Sequence, residues 1–269
     1  MLKRSISVIS AIALIAVWFH YQTPRVYAAL PLIGSLSQSA SIISRWYLDE
    51  ASGTRVDTPG TNDLTDNNTV TGATCQFSVD CSDFETSNEE FLDIADASQT
   101  GLDFSADITF CVWIQYEADT LDNRGIFGKW SAASRAYSFW YEGSTTDLFR
   151  LQLKNAAAVS VTRSYAYDLP TATWKHLCIV YRASAGEGEL YIDGASVSTQ
   201  TGYGTDIMNG TAAFSIGAYG EATTGERWDG LMQDAIIWNL GLTDAEVDAV
   251  YDAYFAVAST GRPMFMILD

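Results

Sequence analysis

Apolar and polar residues alternate with a period of two along much of the chain, which predicts half-buried strands. In residues 107–116, Ile108, Phe110, Val112, Ile114 and Tyr116 share one face, while Thr109, Cys111, Trp113 and Gln115 share the other. Phe149, Leu151 and Leu153 alternate with Arg150, Gln152 and Lys154, which marks a strand with one side in water. Further strand-like runs cover 42–48, 91–94, 124–130, 135–141, 174–182, 189–193, 212–217 and 230–238. Asp193-Gly194 is a hairpin turn, and the Gly-, Asp-, Asn- and Thr-rich residues 49–68 read as a long loop. The period changes to helical once. Thr243-Asp244-Ala245-Glu246 forms a capping box, and Val247, Val250, Tyr251 and Tyr254 follow at helical spacing. The order predicts an all-β fold, a two-sheet antiparallel sandwich over residues 42–256 with one short C-terminal helix docked on it. Residues 29–41 are small and polar and read as a flexible lead-in. Residues 257–269 form a tail whose apolar stretch Met264–Leu268 either packs on the domain or serves as a partner-binding peptide.

The N-terminus changes the picture of where the chain works. Lys3 and Arg4 precede an uncharged apolar run from Ile6 to Phe19, and Val26-Tyr27-Ala28 offers small residues for cleavage, so residues 1–28 read as a signal peptide. The run is shorter than the ~20 residues of a spanning helix, although retention as an anchor is the alternative. An exported chain with four cysteines predicts disulfides and a secreted or cell-surface location, extracellular or periplasmic. Cys75 and Cys81 lie close together in a polar stretch, where a local bridge is the simplest pairing. Cys111 and Cys178 sit inside strand-like runs and can bridge only where those strands are neighbours, within ~7 Å between Cα atoms. Net charge is −18, and the acids all lie beyond residue 28. That surface repels phosphate backbones and anionic lipids, so neither nucleic acid nor, after signal cleavage, a membrane is an expected partner.

Acid-rich loops raise the question of calcium, which takes six to eight oxygens. Asp57, Asn62, Asp63 and Asp66 crowd one loop, and Asp229 and Asp234 on the last strand approach it if the first and last strands are neighbours. The candidate ligands are Asp57, Asn62, Asp63, Asp229 and Asp234; the competing reading is a solvated loop held by Asx turns. Carbohydrate is recognised by stacking sugar faces on exposed rings. Tyr203, Tyr219 and Trp228 lie in Gly-rich loops and are the candidate ligand-binding aromatics, while Tyr137, Trp140 and Tyr141 read as core or sheet surface. Catalysis finds little support. Glycoside hydrolysis needs two carboxylates about 5 Å apart for retention; the nearest set, Glu187, Glu189 and Asp193, lies where exposed acids are ordinary. His176, the one histidine beyond residue 28, lies mid-strand and reads as structural.

Taken together, several segments resemble the laminin-G-like, pentraxin-like domains of the concanavalin A-like superfamily. They are Trp46-Tyr47-Leu48-Asp49-Glu50 with Ser52-Gly53, Asp107-Ile108-Thr109-Phe110-Cys111-Val112-Trp113, and Trp174-Lys175-His176-Leu177-Cys178 with Leu190-Tyr191-Ile192-Asp193-Gly194. Phe214-Ser215-Ile216-Gly217 and Ile237-Trp238-Asn239 complete the series. The resemblance implies a jelly-roll and, from the pentraxin disulfide, a Cys111–Cys178 bridge, which we expect to staple the inner walls of the sandwich. It does not carry over pentraxin calcium binding, because Ala133-Ser134 stands where that motif needs Asp-Asn; relatives also often place Asp where Gln233 stands. The function expected is a secreted, non-catalytic module binding a glycan or glycoprotein, with calcium as its cofactor. The alternatives are a self-associating structural or adhesive subunit and, last, a glycan hydrolase or lyase.

Overall fold

A computed structural model describes residues 30–31, 33–77, 80–117, 123–143, 146–220 and 226–255. The signal peptide and the tail 257–269 expected from the sequence lie outside these residues. Among the described residues, fifteen strands follow in chain order: β1 Ile42–Trp46, β2 Thr65–Asn67, β3 Thr71–Thr74, β4 Asp80–Phe84, β5 Phe91–Ile94, β6 Ile108–Tyr116, β7 Asn123–Trp130, β8 Arg135–Glu142, β9 Leu148–Lys154, β10 Ser160–Ala166, β11 Trp174–Arg182, β12 Glu187–Ile192, β13 Ala195–Thr201, β14 Phe214–Ile216 and β15 Gly230–Trp238. One helix, α1, spans Asp244–Ala253. An eight-stranded sheet runs β13-β12-β11-β6-β15-β4-β3, with β1 also pairing β15, and a seven-stranded sheet runs β10-β9-β8-β7-β14-β5-β2. Their facing sides form the jelly-roll core that the alternation predicts.

The inward residues of β6 meet Phe127, Tyr137, Phe139, Phe149 and Leu151 from the opposite sheet, with Phe110 stacked on Phe127 at 4.0 Å between ring centroids. Burying each such side chain stabilises by roughly 1.5–3 kcal/mol relative to exposure. Asp193 and Gly194 both take positive φ (53° and 81°), as a two-residue hairpin requires.

A second core covers the other side of the eight-stranded sheet. The capping box of α1 forms as expected, and Val247, Val250 and Tyr254 seal Trp113, Val180, Ile236 and Trp238. Both expected disulfides form, Cys75–Cys81 and Cys111–Cys178. The second does not staple the inner walls. Cys111 and Cys178 are direct partners across β6 and β11, 4.1 Å apart at Cα, and point outward beneath α1. The lead-in also differs from expectation. Residues 33–35 and 39–41 form 3-10 turns. Leu36 is only 4% exposed, Arg45 donates to the Pro31 carbonyl, and Trp238 donates to the Ser37 carbonyl. The segment is tied down through these backbone carbonyls and Leu36, although most of its side chains are small or polar.

Candidate functional site

The outer side of the seven-stranded sheet is the face that no helix covers among the described residues. Strand β7 carries glycines at 125 and 128, and the segment Ala218–Tyr219 crosses directly above them. A Cβ at Gly125 would lie 2.2 Å from the Tyr219 nitrogen, and one at Gly128 would lie 2.4 Å from the Tyr219 carbonyl oxygen. The crossing segment is fastened by a bridge between Ala218 and Arg227 and by Arg227 donating to the Gly220 carbonyl. Ser215 donates to the Ala218 carbonyl from below.

This track fixes the ring of Tyr219. It stacks on Trp140 of β8 with centroids 5.0 Å apart and planes at 28°. Its hydroxyl donates to Glu226 Oε2 at 2.6 Å, and Asn123 Nδ2 donates to Glu226 Oε1 at 3.2 Å. Burial and the Glu226 carboxylate push the Tyr219 hydroxyl well above its ordinary pKa, so it stays a donor. Strand register then lays side chains out in rows. Gly125, Trp140, Arg150 and Ser164 are successive cross-strand partners through β7, β8, β9 and β10, and Gly128, Ser138, Gln152 and Thr162 form the next row. Arg150 Nε donates to Glu142 and Nη1 donates to Ser164 Oγ at 2.9 Å. The result is a shallow polar face with a pinned aromatic stack at one side, able to hold a ring on Tyr219 and to hydrogen-bond its hydroxyls.

Of the three candidate aromatics, only Tyr219 is part of this face. Gly202 and Gly204, at φ 83° and 101°, turn Tyr203 inward; it is buried, and its hydroxyl shares a 2.8 Å hydrogen bond with Tyr165. Trp228 is fully buried against Tyr116, with centroids 5.6 Å apart. Neither ring is available to a sugar. A glycine-flanked aromatic is as free to turn into the end of a sandwich as out of it. Trp140, read from the sequence as core or sheet surface, and Arg150, read only as the exposed side of a strand, were not among the candidate binding residues. The signal for them was the outward alternation of Arg150, Gln152 and Lys154.

The five metal candidates do not meet at a point. Asp57 is buried, and its oxygens accept from the Arg45 amide, the Asn62 amide and Ser44 Oγ. Asp63 accepts from the Asp57 amide, and Asn62 bonds Ser44 and both backbone groups of Thr100. These bonds organise their own loop, which is the Asx-turn reading. Asp234 forms a fully buried bidentate pair with Arg45 and accepts from Tyr254. Asp229 accepts from the Thr86 amide, more than 10 Å along the strand from Asp234 by four residues of extended chain. Asp229 instead faces Asp83, Glu85 and Glu117, whose pKa values are raised by burial and by one another's charge.

The glutamates considered for hydrolysis are committed elsewhere. Glu189 accepts from Arg182, Tyr191 and Ser196, and although burial alone would raise its pKa, those donors hold it below the usual range. A general acid needs the opposite shift. His176 is buried beside Trp113 and Tyr254 under α1, and burial lowers its pKa to about 3. Its neutral form is favoured in the fold, so it penalises stability as pH falls from about 6.5 towards 3, by up to about 1.4 kcal/mol per unit. Replacing it by Phe is expected to flatten that part of the acid-denaturation curve; parallel curves for the two proteins would show that His176 is protonated within the fold.

The comparisons with known proteins bear on this geometry. The model of the concanavalin A-like lectin/glucanases superfamily matches residues 87–248, more than half of the chain. The chain belongs to the concanavalin A-like lectin/glucanases superfamily. No curated protein matches the sequence. Among solved structures, the binding domain of Paraclostridial Mosquitocidal Protein 1 is 10% identical with a TM-score of 0.66, covering 81% of this superfamily member and 53% of that domain. Domain 4 of AbnA, a GH43 extracellular arabinanase from Geobacillus stearothermophilus in complex with arabinotriose, is 17% identical with a TM-score of 0.59, over 78% of this chain and 98% of that one. The botulinum neurotoxin serotype D ligand-binding domain in complex with N-acetylneuraminic acid is 13% identical with a TM-score of 0.59, over 82% and 52%. The chain thus spans about half of the toxin domains, and identity at this level carries the fold alone. Among the described residues, no helix is long and apolar enough to cross a membrane.

Proposed function

We propose that this protein is an exported, non-catalytic carbohydrate-binding module that holds a glycan against the outer face of its seven-stranded sheet. The observation that carries this is the Tyr219–Trp140 stack, pinned over Gly125 and Gly128 and bordered by Arg150, Gln152 and Ser164. Two disulfides support export to an oxidising compartment. Two fold relatives are binding domains, one of them in complex with N-acetylneuraminic acid, and a third, Domain 4 of an arabinanase, is in complex with arabinotriose; these support a binding role.

A glycan array with wild type and Tyr219→Ala tests the proposal. Tyr219→Ala is expected to lose at least about tenfold in affinity, a stacking contribution near 1.4 kcal/mol. Full binding by Tyr219→Ala would remove the platform from the account. Calcium enters the same experiment as an expected null. Glu142 and Glu226, the carboxylates beside the platform, are each held by protein donors, so binding is expected to be equal with calcium and with chelator.

The self-associating alternative draws on one feature. Edge strand β13 carries no charged residue over Ala195–Thr201 and exposes Val197, where edge strands are usually protected by charge. Concentration-dependent assembly that Val197→Lys abolishes would favour it.

A further inference from the structure

We infer that the outer face of the seven-stranded sheet recognises a carboxylate-bearing polysaccharide, with Arg150 and Lys154 reading its charge beside the Tyr219–Trp140 stack. This rests on the glycan-binding proposal and adds the chemical class of the chain.

The protein carries 33 acids against 15 bases, yet the outward side chains of β9 are Arg150, Gln152 and Lys154. Their neighbours on β10 are Ser164, Thr162 and Ser160, and on β8 Trp140 and Ser138. Arg135, exposed at the start of β8, adds a cation at the Lys154 end. Glu142, which borders these strands on that face, is paired to Arg150. Glu226 lies on the far side of the stack, bonded to Tyr219 and Asn123. Asp206 caps the Ala156 amide in the turn after Lys154. In a molecule with this excess of acid, so basic a stripe is a local departure that excess charge for solubility does not explain.

The guanidinium of Arg150 is fixed by Glu142 at Nε and Ser164 at Nη1, and among the described residues Nη2 has no hydrogen-bond partner. Lys154 has no carboxylate partner among the described residues. Both present donors only, whereas the Ser, Thr and Gln side chains around them can donate and accept. Carboxylates are pure acceptors.

Arg150 and Lys154 are four residues apart on one strand, about 13 Å. The screening length in physiological salt is about 8 Å. A ligand lying on the stripe is in contact with both cations, while solvent-exposed acids more than a screening length from it contribute little. Arg150 is the direct cross-strand neighbour of Trp140, one strand spacing of about 4.8 Å away. A sugar stacked at Tyr219 thus places an adjoining unit over the guanidinium.

The experiment compares polygalacturonate with the same polymer fully methyl-esterified, by affinity electrophoresis and titration calorimetry on the full chain. The free acid is expected to bind about tenfold or more tightly than the ester at low salt. The gap is expected to close by about 0.5 M NaCl, where screening is strong. Lys154→Gln is expected to narrow the gap, and Tyr219→Ala to weaken both polymers. Equal binding of acid and ester, or Tyr219-dependent binding to neutral glycans only, overturns the charge inference and leaves the platform standing. No Tyr219-dependent binding to any glycan overturns both. Tighter binding of a single-stranded oligonucleotide than of the polyuronate also overturns it.

Discussion

Asp234→Ala is expected to unfold the protein about 10–15 °C earlier than wild type, the largest stability loss from a single substitution in this account. Arg45 and Asp234 are both fully buried, 189 positions apart in sequence, and joined by two 2.7 Å hydrogen bonds. Losing the carboxylate leaves the buried guanidinium with the Pro31 carbonyl and the Tyr47 ring but without its Asp234 counter-charge, and takes the Asp234 acceptor from the Tyr254 hydroxyl. Breaking a buried pair from one side costs roughly 3–5 kcal/mol, mostly as the penalty of the stranded charge. Replacing both partners by apolar residues, Arg45→Met with Asp234→Leu, is therefore expected to be milder than either single change. Thermal denaturation of the three variants checks this; a double variant as unstable as the sum of the singles would show that packing, not charge, dominates there.

The second large effect joins stability to binding. Gly125→Ala places a methyl 2.2 Å from the Tyr219 nitrogen and 2.5 Å from the Ala218 carbonyl carbon. Those are backbone atoms held by the Ala218–Arg227 bridge, so they cannot swing aside as a side chain would. The crossing segment must lift, and overpacking of this kind costs about 1–3 kcal/mol. With it moves the Tyr219 ring, so glycan affinity is expected to fall at least as far as in Tyr219→Ala. Gly34→Ala is the control, since nothing lies within 4 Å of its added methyl, and it is expected to match wild type in both assays. Normal glycan binding by a folded Gly125→Ala protein would show that the ring does not need its track.

Much of the fold was legible because its central strands meet cores on both sides. Strand β6 alternates between two apolar faces, and the Thr243–Glu246 box states where α1 begins. The strands that sequence reasoning passed over are β2, β3, β4, β10 and β13, built largely from Ser, Thr and other small or polar residues. Most lie at or near sheet edges, where backbone pairing rather than apolar periodicity makes the strand. The site was harder. Tyr203, Tyr219 and Trp228, each in a loop that contains glycine, look alike in sequence, and only packing sends two of them inward. The acids suggested a cation because their real partners, the backbone amides of residues 45 and 62 for Asp57 and the side chain of Arg45 for Asp234, are set by folding and not by a linear pattern. The Trp140–Arg150–Ser164 row exists only through strand register, which no linear pattern states.

The most direct test maps where an oligosaccharide lands. Amide and indole shifts followed by NMR during titration are expected to concentrate at Trp140, Arg150, Gln152, Ser164 and Tyr219. Shifts centred instead on the cleft of about 650 Å³ at the sandwich end, lined by Gly101, Asp103, Asp107 and Asn239, would contradict the account.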